Sequence, residues 1–136
     1  MPVREGYGQT ENTAQATLTR AGDVHLGTVG TPVPGAEIRI AEDGEILTRG
    51  PGTFLGYYRD EAATADAVDA DGWLHTGDVG ELDADGHLRI TDRKKDIIIT
   101  SGGKNISPSE IENRLKVSEY VKEAVVIGDQ RKFLTA

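Results

Sequence analysis

The 136-residue sequence predicts a mixed α/β fold, mainly β up to about residue 91 and α+β beyond it. Three observations lead there. Short apolar–polar alternations fill the first two thirds, punctuated by many of the chain's 17 Gly and 5 Pro residues, the signature of short strands joined by tight turns. The style then changes across Ile90–Glu112. That stretch runs from a charge cluster (Asp92, Arg93, Lys94, Lys95, Asp96) through the β-branched Ile97-Ile98-Ile99 to a small-residue turn, Ser101-Gly102-Gly103. Finally, Ser107-Pro108-Ser109-Glu110 reads as a capped helix start: Ser107 caps, Pro108 suits the first helical position and Glu110 completes a reciprocal box. A junction between two architectural styles is a natural place for a hinge or an active site.

Composition narrows the function classes. The formal charge is -8, and the one basic run, Arg93–Lys95, is flanked by Asp92 and Asp96, so nucleic-acid binding is not expected. Cysteine is absent, which excludes disulfides and thiolate metal sites. No apolar run approaches membrane-spanning length and no signal-peptide pattern opens the chain, so the expected location is cytoplasmic.

In chain order, the opening residues to Ala14 show no hydrophobic periodicity and read as a loop. Tyr7 sits between Gly6 and Gly8, with Thr10 and Glu11 following, which suits a planar ligand with a charged group nearby, although an ordinary surface loop with a half-buried Tyr is the commoner meaning of so short a motif. Val24–Thr31 is a glycine-broken loop leading to Pro32 and Pro34. A strand is expected at Ala36–Ala41, a hairpin turn at Asp43-Gly44 and a returning strand at Glu45–Arg49, ended by Gly50-Pro51-Gly52. Phe54, Leu55, Tyr57 and Tyr58 form an apolar patch, and Asp60 caps a short helix over Glu61–Ala67. Asp69–Gly72 and Asp83–Gly86 repeat an Asp-Ala-Asp-Gly pattern but lack the further oxygen ligands of a calcium loop. The second is a hairpin turn. A strand carrying Trp73 is expected to end at Gly77, presenting Asp78 just beyond. There the carboxylate could accept from a vicinal diol or merely cap a turn, and His75 alone supports no acid–base role. The helix from Ser107 should run to about Lys116 with Ile111 and Leu115 on one face. Ala124–Ile127 reads as a buried strand, and the last residues as the start of another. Neither Gly50-Pro51-Gly52 nor Ser101–Asn105 has the spacing of a nucleotide phosphate loop.

Four stretches in order resemble the adenylate-forming superfamily of acyl-CoA synthetases, peptide-synthetase adenylation domains and beetle luciferases. They are YGQTE (Tyr7–Glu11), GEILTRGPGTFLGYYRD (Gly44–Asp60), GWLHTGD (Gly72–Asp78) and DRKKDIIITSGGKNISPSEIE (Asp92–Glu112). The wording of the last is most similar to the long-chain fatty-acyl-CoA synthetase branch. The resemblance implies a distorted antiparallel β-barrel subdomain closing a large AMP-binding domain over residues 1–91, then a hinge and an incomplete small α+β domain over 92–136. It also implies ATP or AMP, Mg²⁺ and CoA, with a fatty acid as the acid substrate, no transmembrane segment, and peripheral membrane contact left open. Under it, Tyr7 stacks on adenine with Gly8 giving room, Thr10 contacts phosphate and Glu11 holds Mg²⁺. Asp78 binds the ribose hydroxyls, and Arg93 reaches the same ribose or the phosphate. Lys95 is the hinge, Gly102 and Gly103 admit the pantetheine arm of CoA, and Lys104 faces the active site. A carboxylate would attack the α-phosphate of ATP to give acyl-AMP, and the CoA thiol would then displace AMP. The family's phosphate loop and its terminal lysine have no counterpart in these residues, so the chain alone is expected not to form acyl-AMP. The alternatives are a non-catalytic nucleotide-binding or interaction remnant, or another acid–AMP ligase of the superfamily.

Overall fold

The computed structural model describes residues 3–136 and is of the mixed α/β class the sequence predicts, rich in antiparallel pairing. It divides into two compact units, one up to Ile90 and the other Thr91–Ala136.

The first unit holds two sheets. β1 (Gly6–Tyr7), β2 (Thr17–Leu18) and β3 (Thr31–Pro32) pair antiparallel in that order. The opening stretch is therefore not wholly a loop, as its lack of periodicity predicts. Strands of two residues are too short to show alternation, and their backbone pairing is visible only once the partner is in place. Pro32, lacking an N–H, lies on the edge strand β3, where its missing donor costs no ladder bond. β4 (Glu37–Ile40) and β5 (Glu45–Arg49) form the predicted hairpin around Gly44, whose φ of +86° is the left-handed geometry such a turn requires. β6 (Leu74–Leu82) and β7 (Leu88–Arg93) complete a sheet ordered β4-β5-β6-β7. The second Asp-Ala-Asp-Gly stretch is the turn between them, with Asp83 Oδ1 accepting from the Asp85 and His87 N–H groups.

Two backbone bonds tie the sheets together: Val29 N–H donates to the Leu88 carbonyl, and Leu88 N–H to that of Gly30. Between the sheets lies the core, with Tyr7, Ala16, Ile46 and Leu88 buried and Val29, Ile38, Ile40 and Ile90 packed around them. Central strand β5 is buried from Glu45 to Thr48. The guanidinium groups of Arg39 and Arg49 lie over the ring of Trp73, just ahead of β6, 4.5 and 4.4 Å from its centre. Helix α1 (Glu61–Ala67) forms where predicted, and the Asp60 carboxylate accepts from the Ala63 N–H. The aromatic patch before it is largely at the surface, Leu55 and Tyr58 fully so, with Phe54 and Tyr57 edge to face.

The second unit contains a short hairpin, β8 (Ile98–Ile99) with β9 (Asn105–Ile106), and helix α2 (Pro108–Lys116). Ser107 caps α2 by accepting from the Glu110 N–H. The Glu110 carboxylate, expected to reach back to the cap, is instead engaged by Arg114 one turn on, 2.8 Å away. The predicted strand over Ala124–Ile127 does not form. Only Val126 turns inward, Val125 and Ile127 being more than half exposed. The Val126 N–H is taken by the Glu112 side chain rather than by a neighbouring strand. What remains is an isolated bridge between Ile127 and Thr135, so the tail folds back on itself instead of opening a new strand. Among the described residues no helix is long and apolar enough to cross a membrane.

Candidate nucleotide site

The first unit brings two sequence-distant stretches to one point. The Tyr7 hydroxyl donates to Asp78 Oδ2 at 2.6 Å, across 71 positions of sequence. Gln9 closes the arrangement, its Nε2 donating to Asp78 Oδ2 at 3.1 Å and to the Thr76 carbonyl at 2.7 Å. Both Tyr7 and Asp78 are buried.

Asp78 owes its position to a bulge. Glu45 faces Val79 while Leu47 faces His75, so β6 advances four residues opposite two of β5. The expectation that this strand ends at Gly77 is thereby corrected. Gly77 takes φ +70° inside the bulge, and the strand continues to Leu82. The buried Glu45 carboxylate fixes the bulge: Oε1 accepts from the Gly77 N–H at 2.9 Å, and Oε2 lies 3.1 Å from His75 Nδ1. Thr76 finishes the job. Its hydroxyl donates to the Ile46 carbonyl and accepts from the Asp78 N–H.

Beyond Tyr7, residues Thr10–Asn12 make one 3₁₀ turn. Asn12, buried, accepts from the Gln9 N–H and donates to Thr48, which anchors the turn to β5. Gln9, Asn12 and Glu45 were not singled out by sequence reasoning. Gln9 and Glu45 carried a signal, their places inside the YGQTE and GEILTRGPGTFLGYYRD stretches, and Asn12 carried none. Thr10 is exposed and Glu11 partly so. Glu11 Oε1 accepts from the Tyr57 hydroxyl at 2.7 Å, and the Phe54 N–H donates to the Glu11 carbonyl. The aromatic patch is therefore attached to this loop, and the bond to Glu11 together with burial holds the Tyr57 hydroxyl above its ordinary pKa. Gly8 is required by close approach: a Cβ there would lie 2.3 Å from the Ala14 carbonyl carbon. Gly8→Ala is expected to displace the loop and destabilise the first unit by about 1–3 kcal/mol, measurable as a lowered midpoint in urea. An unchanged midpoint would show that the loop yields freely.

The remaining predicted residues all belong to the second unit. Arg93, exposed, is the last residue of β7, and its N–H donates to Asp92 Oδ1. Lys95 is exposed in the single turn Lys94–Asp96. Gly102, Gly103 and Lys104 form the exposed tip of the β8–β9 hairpin. The Thr100 N–H donates to the Lys104 carbonyl and the Lys104 N–H to the Thr100 hydroxyl, with Gly103 at φ +76°. The firmest feature of this unit is one the sequence hides inside its charge cluster. Asp92 is buried and accepts from Ser107 Oγ (2.6 Å), Arg93 N–H (2.8 Å), Ser109 Oγ (3.1 Å) and Ser109 N–H (3.3 Å).

Glu11, partly exposed beside the exposed Thr10 hydroxyl, offers hard oxygen donors of the kind Mg²⁺ takes.

Comparison with known proteins bears on the same stretches. The AMP-binding enzyme family matches residues 1–58, and the AMP-binding enzyme C-terminal domain matches residues 95–136. The chain is 47% identical over its whole length to long-chain-fatty-acid–CoA ligase FadD15 of Mycobacterium bovis, covering 22% of that protein. It is 49% identical over 95% of its length to the 3-[(3aS,4S,7aS)-7a-methyl-1,5-dioxo-octahydro-1H-inden-4-yl]propanoyl:CoA ligase of Mycobacterium tuberculosis, covering 26% of it. Among solved structures, O-succinylbenzoate coenzyme A synthetase from Bacillus subtilis, in complex with AMP and again with ATP and magnesium ion, superposes with a TM-score of 0.83. In both cases identity is 37%, over 98% of this chain and 30% of that one. The chain thus spans about a fifth to a quarter of the length of these curated relatives. With both family matches, near-half identity along the chain and a shared fold, the chain belongs to the AMP-binding enzymes of the adenylate-forming superfamily.

Proposed function

We propose that this chain is the nucleotide-binding and hinge segment of an AMP-forming ligase that joins a long-chain fatty acid to CoA. The support is the Tyr7–Asp78 bond, which gathers the YGQTE and GWLHTGD stretches into one polar point at the bulge. A carboxylate fixed there by Tyr7 and Gln9 is preorganised to accept from the two hydroxyls of a ribose. Tyr7 presents an aromatic ring to adenine. Thr10 binds phosphate oxygen, and Glu11 holds Mg²⁺, which when bound offsets charge developing on the phosphates. In the second unit Arg93 supports ribose or phosphate binding and Lys95 is the hinge. Gly102 and Gly103 leave room for pantetheine, and Lys104 contributes a cation in the thiol step. A hinge lets one nucleotide site serve acyl-AMP formation and then thiol transfer. The long-chain assignment follows the likeness to FadD15, although the second relative is named for a different acid. These 136 residues alone are not expected to turn over.

Calorimetric titration of AMP into the chain tests the nucleotide site. Wild type should bind measurably at millimolar ligand or below. Asp78→Asn should weaken binding roughly 10- to 100-fold, the worth of a hydrogen bond to a charged group. No heat from wild type, or equal affinity in the variant, would remove Asp78 from a ribose role.

A further inference from the structure

The loop before β3 and the β6–β7 turn build a second polar cluster within the first unit. Its members are Asp23 and His25 from the loop, and Asp83 and His87 from the turn. The backbone holds the two segments together through the paired Val29–Leu88 and Leu88–Gly30 bonds. The imidazoles of His25 and His87 lie face to face, centroids 3.7 Å apart and planes 15° apart. They stack in the same sense, with both Nε2 atoms toward Asp23 and both Nδ1 atoms toward Asp83. Asp23 Oδ1 is 3.2 Å from His87 Nε2 and 3.8 Å from His25 Nε2. Asp83 Oδ2 is 3.2 Å from His25 Nδ1, and its Oδ1 is 3.5 Å from His87 Nδ1.

His87 is the anomaly. Its side chain is 3% exposed, yet neither ring nitrogen makes a hydrogen bond. The flanking carboxylate oxygens are near but too far out of line. A buried imidazole with both nitrogens unsatisfied costs about 1–3 kcal/mol, and native proteins rarely carry such a group without a use for it.

We propose that Asp23 Oδ1, His25 Nε2 and His87 Nε2 bind a divalent transition-metal ion of the zinc class, with Asp83 as the outer carboxylate that orients both imidazoles. In a tetrahedral zinc site, metal–ligand bonds of about 2.0 Å put neighbouring ligand atoms roughly 3.3 Å apart. The His87–Asp23 separation already has that value, and all three ligand atoms lie within 4.8 Å of one another. Closure needs the half-exposed His25 ring, stacked on His87, to tilt so that its lone pair converges with that of His87. Asp83 lies on the other side of each ring, hydrogen-bonded to His25 Nδ1 at 3.2 Å and 3.5 Å from His87 Nδ1, so that with the proton on Nδ1 each Nε2 is left free to ligate. Two imidazoles and one carboxylate select zinc, cobalt, nickel or copper over magnesium, which prefers all-oxygen shells. The site is separate from Glu11, which belongs to a different loop.

Zinc chloride titrated into the chelator-stripped 136-residue chain should bind one ion at micromolar Kd or tighter and raise the Tm. Cobalt(II) in its place should give the visible bands of a four-coordinate ion. Asp23→Asn and His25→Ala alter side chains 45% and 38% exposed, so both variants should keep the wild-type circular dichroism. Each should weaken zinc binding at least tenfold, while Glu42→Gln, at an exposed carboxylate outside both sites, leaves it unchanged. Binding only at millimolar zinc, or wild-type affinity in both cluster variants, would overturn the site.

Discussion

Replacing Ile46 by alanine is expected to lower the stability of the first unit by about 3 kcal/mol, the central cost of truncating a fully buried aliphatic side chain. Ile46 has no exposed surface and packs with Tyr7, Ala16 and Leu88 where the two sheets meet. Its neighbours are held by backbone pairing, so they cannot collapse far into the space left behind. The urea midpoint should fall with the slope unchanged. Since domains are stable by only about 5–15 kcal/mol, the loss would be a large share of the total. Leu55→Ala, at a fully exposed position, should change stability by no more than about 0.5 kcal/mol. A shift under about 1 kcal/mol for Ile46→Ala would mean that the core is softer than its packing indicates.

The second large effect is expected at Asp92. Asp92→Ala removes the acceptor for four hydrogen bonds, leaving the Arg93 and Ser109 N–H groups and two serine hydroxyls to find water at the start of α2. A loss of roughly 2–3 kcal/mol from the second unit follows, because bonds to a charged acceptor are the stronger kind. The same residue sets a pH dependence. Burial pushes the Asp92 carboxyl up, but the bonds from Ser107, the Arg93 N–H and Ser109 outweigh it and hold the group below the ordinary carboxylate range. A carboxyl depressed in the folded state binds protons less readily there than in the unfolded chain. Its contribution is therefore complete above the unfolded value, about pH 3.9, and is lost as pH falls through the lower folded value. Wild type should lose stability along that acid limb. Asp92→Asn should be less stable at neutral pH and flatter below pH 4. Parallel acid limbs for the two proteins would rule out Asp92 as the titrating group.

Much of the molecule was legible from local chemistry. The Asp43-Gly44 hairpin, the Asp60 and Ser107 caps and the Asp83 turn each depend on residues a few positions apart, so short-range rules reach them. The two-residue strands were invisible because two positions cannot show a period. Ala124–Ile127 misled because apolar content alone does not form a strand. A partner ladder is needed, and the Val126 N–H found a glutamate instead.

The sequence by itself determined the family, through four motifs in order. Only the tertiary structure decided that Tyr7, Gln9 and Asp78 meet, that buried Glu45 pins the bulge presenting Asp78, and that Asp92 lies buried at the start of α2. The Tyr7–Asp78 pairing and the Glu45 pin join residues 32 to 71 positions apart. Their geometry is set by which apolar side chains share a core and which backbone edges pair, and a periodic pattern of residues encodes neither distance.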